Sequence, residues 1–259
     1  MKMTRFNLNL LFGISVLFLL AGCAKKDPHT EDEDQFNPKF VNSNWGHYSG
    51  VLVGSTGYFN ILVNGNGVSA VVIFDGQRYE MQSNTPVPEK QQYGVELSKD
   101  GVLITFTVDK AGKTPEVNLE IPEHPDVHAT IFKSEENMSV KNYMGWSKST
   151  YMQTTHNETY NMTIRGDKYR VVAKSSDESY TETGKIEWVG TDKVRIIAPE
   201  TTILANVNPN TGVISFKETG EDNYSLEIRL TPQNLLIDDN PDDGDNFASP
   251  TPPPGSQEN

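Results

Sequence analysis

Phe59-Asn60-Ile61-Leu62-Val63-Asn64-Gly65-Asn66-Gly67 decides how the rest of the chain is read. Phe59, Ile61 and Val63 alternate with Asn60, Leu62 and Asn64, the two-residue period of a strand with one face in a core and the other in water. The stretch ends in two Asn-Gly pairs, residue types that accept the positive φ of a tight hairpin. The same reading fits Tyr160, Met162 and Ile164 against Asn161, Thr163 and Arg165, followed by Gly166-Asp167.

Working outward, Val102, Ile104, Phe106 and Val108 alternate with Leu103, Thr105, Thr107 and Asp109. Val117-Leu119-Ile121 and Tyr224-Leu226-Ile228-Leu230 behave alike. Asp75-Gly76, Asp100-Gly101, Gly190-Thr191-Asp192 and Asn208-Pro209-Asn210-Thr211-Gly212 supply further reversals. Such alternation favours antiparallel sheet over the continuous apolar runs of buried parallel strands. No segment sustains a helical period, although Ser134 to Tyr143 has room for one turn of helix. A constant spacing of 101 residues pairs Trp45 with Trp146, Phe59-Asn60 with Tyr160-Asn161, Gly65 with Gly166, Val71 with Val172 and Tyr79 with Tyr180. A shorter spacing sets Val127-His128-Ala129-Thr130-Ile131 against Tyr224-Ser225-Leu226-Glu227-Ile228. The expected fold is all-β: two tandem antiparallel meander modules, residues 44–139 and 140–232, as small barrels or sandwiches, with one composite barrel as the alternative.

Ahead of the modules, Lys2 and Arg5 precede a mostly apolar stretch from Leu8 to Leu20 and then Leu20-Ala21-Gly22-Cys23. The apolar run is shorter than the roughly 20 residues that span a bilayer and suits a signal h-region. It resembles a bacterial lipoprotein signal peptide, residues 1–22, with Cys23, the only cysteine, as the acylated residue. The resemblance implies stable anchoring through several acyl chains. Ala24 after the cysteine points to the outer rather than the inner membrane. Residues 23–43, polar and marked by Pro28 and Pro38, read as a flexible tether.

Beyond the modules, residues 233–259 carry clustered aspartates and a Pro-rich end and read as a disordered tail. A calcium loop counted back from Gly244 fails, because Pro241 and Pro250 stand where ligands are needed. The chain has 35 acidic against 22 basic residues, a net charge of −13. No basic stripe with interleaved aromatics occurs, and nucleic-acid binding is excluded on charge.

Chemistry is sparse. His124 and His128, four apart in an extended segment, would lie about 13 Å apart, too far to share one ion. No G-x-S-x-G elbow and no phosphate-binding loop is present. The Asn-x-Ser/Thr matches at Asn137, Asn157, Asn161 and Asn223 carry no role in a bacterial lipoprotein. The aromatics remain. Trp45 and Trp146, beside Gly46 and Gly145, loosely resemble the tryptophan that closes the base of lipocalin-like barrels. With Trp188 they are the candidate ligand-binding residues, as stacking faces. The expectation is a non-catalytic, lipid-anchored envelope protein that docks on an envelope protein partner, with no cofactor and no metal. The alternatives are a carrier of an apolar ligand or glycan in a barrel, and a hydrolase with an unrecognised site.

Overall fold

The alternating stretches form sixteen strands among the described residues of the computed structural model, which are 38–235 without 55, 136, 137 and 177. The signal segment, Cys23, residues 24–37, Asn137 and residues 236–259 lie outside them. The first half contributes β1 (Gly46–Val53), β2 (Gly57–Asn64), β3 (Gly67–Phe74), β4 (Gln77–Ser83), β5 (Tyr93–Lys99), β6 (Val102–Val108), β7 (Glu116–Glu120) and β8 (His128–Lys133). The second contributes β9 (Val140–Tyr151), β10 (Thr154–Arg165), β11 (Lys168–Lys174), β12 (Ser179–Val189), β13 (Lys193–Ile197), β14 (Thr202–Val207), β15 (Ile214–Thr219) and β16 (Ser225–Pro232). The protein is all-β, in two tandem antiparallel meander modules.

The second module is a closed barrel in the order β10-β11-β12-β13-β14-β15-β16-β9. It closes on its own strands, so the composite barrel is not formed. The first module follows the same course but splits into β4-β3-β2-β1-β8 and β5-β6-β7. One core spans its two sheets: Leu52, Phe59, Ile61 and Val72 pack with Leu97, Ile104, Phe106 and Leu119. It is an eight-stranded barrel opened at two seams, between β4 and β5 and between β7 and β8.

The turns follow residue chemistry. Asp75-Gly76 and Asp100-Gly101 take positive φ at both positions, as two-residue hairpin turns require. Between Ser134 and Tyr143, where the sequence has room for one turn of helix, the described residues hold no helix. Glu135 and Met138 exchange backbone hydrogen bonds of 3.3 and 2.9 Å, and β9 already begins at Val140.

The internal repeat needs one correction. β2 and β3 match β10 and β11 at the 101-residue spacing, both hairpins turning at Gly65 and Gly166. The first strands do not. Tyr48 stands opposite Ile61 and Tyr143 opposite Met162, so Tyr48 and Tyr143 are equivalent and Trp45 and Trp146 are not. The cause is length: β9 and β10 have 12 residues each, against 8 in β1 and β2. In the corrected register Gly50 matches Gly145. A Cβ at either would lie 1.8 Å from a backbone oxygen, of Thr130 on β8 or Arg229 on β16. In both modules the last strand thus crosses the first over a glycine.

The chain enters at one end of module one. Residues 38–43 form a short 3-10 turn and a bend, held by Lys133, whose buried ammonium donates to the carbonyls of Phe40 (2.5 Å) and Ser43. Asn44 joins this end to the β4–β5 loop, donating to Pro88 O at 2.8 Å and accepting from Lys90 N at 2.7 Å. Module two leaves from the same end, where Gln233 accepts a 2.9 Å hydrogen bond from Asn142.

The modules meet along β1 and β8 on one side and β9, β10 and β11 on the other. Val51, Val53 and Tyr58 pack on Met144 and Val172. Around this apolar patch, Asn161 donates to Leu52 O (2.7 Å) and accepts from Gly145 N (3.0 Å). Thr130 and Thr163 share a 3.3 Å hydrogen bond. Arg170 donates to Ile131 O at 2.7 Å, and Arg165 pairs with Glu135 at 2.8 Å. Both guanidiniums stack on Phe132, that of Arg170 4.5 Å and that of Arg165 4.9 Å from its centroid. Burial and the neighbouring Arg165 disfavour the charged form of Arg170, so its placement there costs energy that the stacking and hydrogen bond offset.

Asn161→Ala removes two buried hydrogen bonds, one to Leu52 O and one from Gly145 N, and leaves each of those groups a partner short. Each such group costs on the order of 1–3 kcal/mol. The variant is expected to lose about 3 kcal/mol of unfolding free energy in urea melts. A midpoint equal to that of the parent would show that the interface does not stabilise the fold.

Candidate functional site

At the end opposite to chain entry, the β1–β2 turn of module one meets β10 and the β11–β12 turn of module two. Gly54, Thr56, Asn157, Glu158, Thr159, Lys174, Ser175 and Ser176 line a cleft there of about 340 Å3. Gly54 has φ +99°, and a Cβ on it would sit 2.3 Å from Asp126 O, so glycine alone lets the turn approach the β7–β8 loop. Lys174 reaches across to that loop, 3.2 Å from Asp126 O and 3.4 Å from its carboxylate. His124 ties the same loop down, with Nδ1 3.2 Å from Gly54 O and Nε2 3.6 Å from Asp75.

From the cleft, Glu158 leads into the barrel mouth. Its Oε2 accepts hydrogen bonds from Ser147 (2.8 Å) and Tyr180 (3.1 Å). One layer deeper, Tyr169 donates to Glu182 at 2.5 Å. The Tyr169 ring lies where a Cβ on Gly184 would stand, 2.6 Å from it, which explains the glycine in β12. Burial raises Tyr160, Tyr169 and Tyr180 above the usual phenol range, with the nearby Glu158 and Glu182 adding to the shift. This network of hydroxyls and carboxylates was not among the sequence candidates. Its signal lay in β12: Ile186 faces the core, so the alternation places Gly184, Glu182 and Tyr180 on the same inward face.

The three tryptophans are placed apart. Trp45 sits at the entry end of module one, its indole N–H donating to Val87 O at 3.0 Å and its ring over Gly65. Trp146 is buried at mid-strand in β9, opposite Thr159 and Arg229. Trp188 ends β12 at the exit end of module two, exposed, with the Lys141 ammonium 5.6 Å from its centroid. They form no common stacking face. His128 opens β8, opposite Val53, and His124 is engaged as above. No three His, Cys, Asp or Glu among the described residues stand where they could hold a metal ion.

No protein-family model matches the chain, and no curated protein or solved structure is similar to it. Its class therefore rests on its own residues: a tandem of eight-stranded β meanders joined along one wall.

The raised phenols, with Tyr48 among them, keep their protons where an unfolded chain, titrating near pH 10, has lost them. The folded state then binds more protons, so their stabilisation is intact below about pH 10 and falls as pH rises beyond it. Lys133 works the other way. Burial lowers it to about 8, so its contribution grows as pH rises from about 8 towards the unfolded lysine value. Urea midpoints are expected to drop above about pH 10, and Tyr169→Phe should shallow that drop. An unchanged slope in the variant would contradict the assignment.

Proposed function

We propose that the chain is a non-catalytic, lipid-anchored protein of the bacterial envelope that works as a docking or structural interaction module. One observation supports docking over carriage of an apolar ligand: the interiors are occupied. Tyr143, Met162, Tyr169, Ile186, Ile228 and Leu230 fill the closed barrel, and Phe59, Ile61, Ile104 and Phe106 fill the open one. A carrier of the lipocalin kind needs that volume for its ligand.

The outer wall of the closed barrel fits an aqueous setting. Thr181, Thr183, Lys185 and Glu187 point outward from β12, where a spanning barrel would present an apolar band. In this reading Cys23 carries the acyl groups, the outer membrane receives them, and the folded body faces an envelope protein partner. Module one offers strand edges for such a partner at its β4–β5 seam, because unpaired backbone groups accept an added strand.

Cys23→Ala tests the anchor. The variant is expected to leave the membrane fraction for the soluble fraction with the circular dichroism of the parent β fold. Retention in the membrane pellet would rule the anchor out.

A further inference from the structure

Above its apolar core, the inward face of the closed barrel turns polar at the end away from chain entry. Glu158 precedes Tyr160 on β10, and Tyr180 and Glu182 precede Ile186 on β12, all on the face that looks into the barrel. Tyr160 and Tyr180 flank Ala173 on the intervening β11, and that short side chain lets the Tyr180 hydroxyl reach Glu158 at 3.1 Å. Ser147, opposite Glu158 on β9, donates to the same oxygen at 2.8 Å, and Tyr169 holds Oε1 of Glu182. Each carboxylate is thus fixed through one oxygen. Glu158 Oε1 and Glu182 Oε2 have no partner among the described residues.

Two features of this layer point to a ligand. The first is charge. No lysine or arginine among the described residues pairs with either carboxylate. Glu218 on β15, opposite Leu226, shares the inward face, and His156 is exposed at the rim. A recess walled by one sign of charge concentrates ions of the other. The second is Tyr160. It is 9% exposed and packs in the barrel core, yet its hydroxyl makes no hydrogen bond among the described residues. Burial first, and then the nearby Glu182, Tyr180, Tyr169 and Glu158, push its phenol up. A buried hydroxyl without a partner costs free energy that a bound donor relieves.

These acceptors select among ligands. An anion is repelled by the carboxylates. Calcium takes six or more oxygens, and no three His, Cys, Asp or Glu among the described residues stand where they could hold a metal ion. A primary ammonium carries three N–H donors on a compact charge, which matches two carboxylate oxygens and one phenol oxygen. The exposed Tyr180 ring offers a face to the attached methylenes, and Glu218 at the rim offers a charge to a second ammonium. We infer that the mouth of the closed barrel binds an aliphatic polyamine by its terminal ammonium, with Glu158, Glu182 and the Tyr160 hydroxyl as acceptors and Ser147, Tyr169 and Tyr180 as positioning residues. The filled core beneath stops the ligand at the mouth. The site goes beyond the docking function and does not rest on it.

The test uses the full chain in a nonionic detergent, with spermidine as the probe, in about 0.15 M salt to screen the acidic surface. Isothermal titration calorimetry is expected to show one saturable site with a Kd below about 1 mM. Glu158→Gln and Glu182→Gln, which keep an acceptor oxygen and lose the charge, should each weaken binding about tenfold or more. Tyr160→Phe should weaken it about threefold or more while keeping or raising the parent's urea midpoint, because the hydroxyl it removes bonds to nothing in the fold. That variant separates lost binding from lost folding. No saturable binding of spermidine overturns the proposal. So does binding that any of the three variants leaves unchanged, since the polyamine then sits elsewhere on the acidic chain.

Discussion

A strand with a neighbour on one side only leaves part of its backbone without a ladder partner, and β8 is such a strand. It pairs with β1 and ends its sheet, because module one does not close between β7 and β8. The guanidinium of Arg170 takes the carbonyl of Ile131 there, and that of Arg165 reaches Lys133 O at 3.4 Å while stacking on Phe132. Side chains of the closed barrel thus do for the open one what the missing β7–β8 ladder would do. Buried backbone groups must be satisfied somewhere, and an open seam beside a closed barrel finds its donors in the neighbour's wall.

That junction also sets where everything else falls. Because Lys174 meets Asp126 at one end and Arg165 meets Glu135 at the other, the ends of the two meanders coincide. Chain entry, the Lys133 latch and chain exit share one end. The cleft and the hydroxyl–carboxylate network of the barrel mouth share the other.

Much of the fold was legible because alternation and turn chemistry are local. Phe59 to Gly67 and Tyr160 to Asp167 each announce a hairpin, and the structure has both. Closure was not legible. Whether β16 reaches β9, or β7 reaches β8, depends on twist and register between strands distant in the chain. The Trp45–Trp146 pairing failed for a related reason. It followed identity of residue type, whereas β9 and β10 lengthen the hairpin and move the true equivalence to Tyr48 and Tyr143. The candidate site was missed because Tyr180, Glu182 and Glu158 are polar enough to read as outward. Their inward face follows only from Ile186 and from the barrel's closure.

The central claim is that the two meanders are one cooperative body, with the open barrel completed by the closed one. Differential scanning calorimetry of the full chain tests it most directly. A single transition whose calorimetric and van't Hoff enthalpies agree is the predicted result, since neither module would survive the other's loss. Two resolved transitions, with the open barrel melting apart from the closed one, would contradict the account.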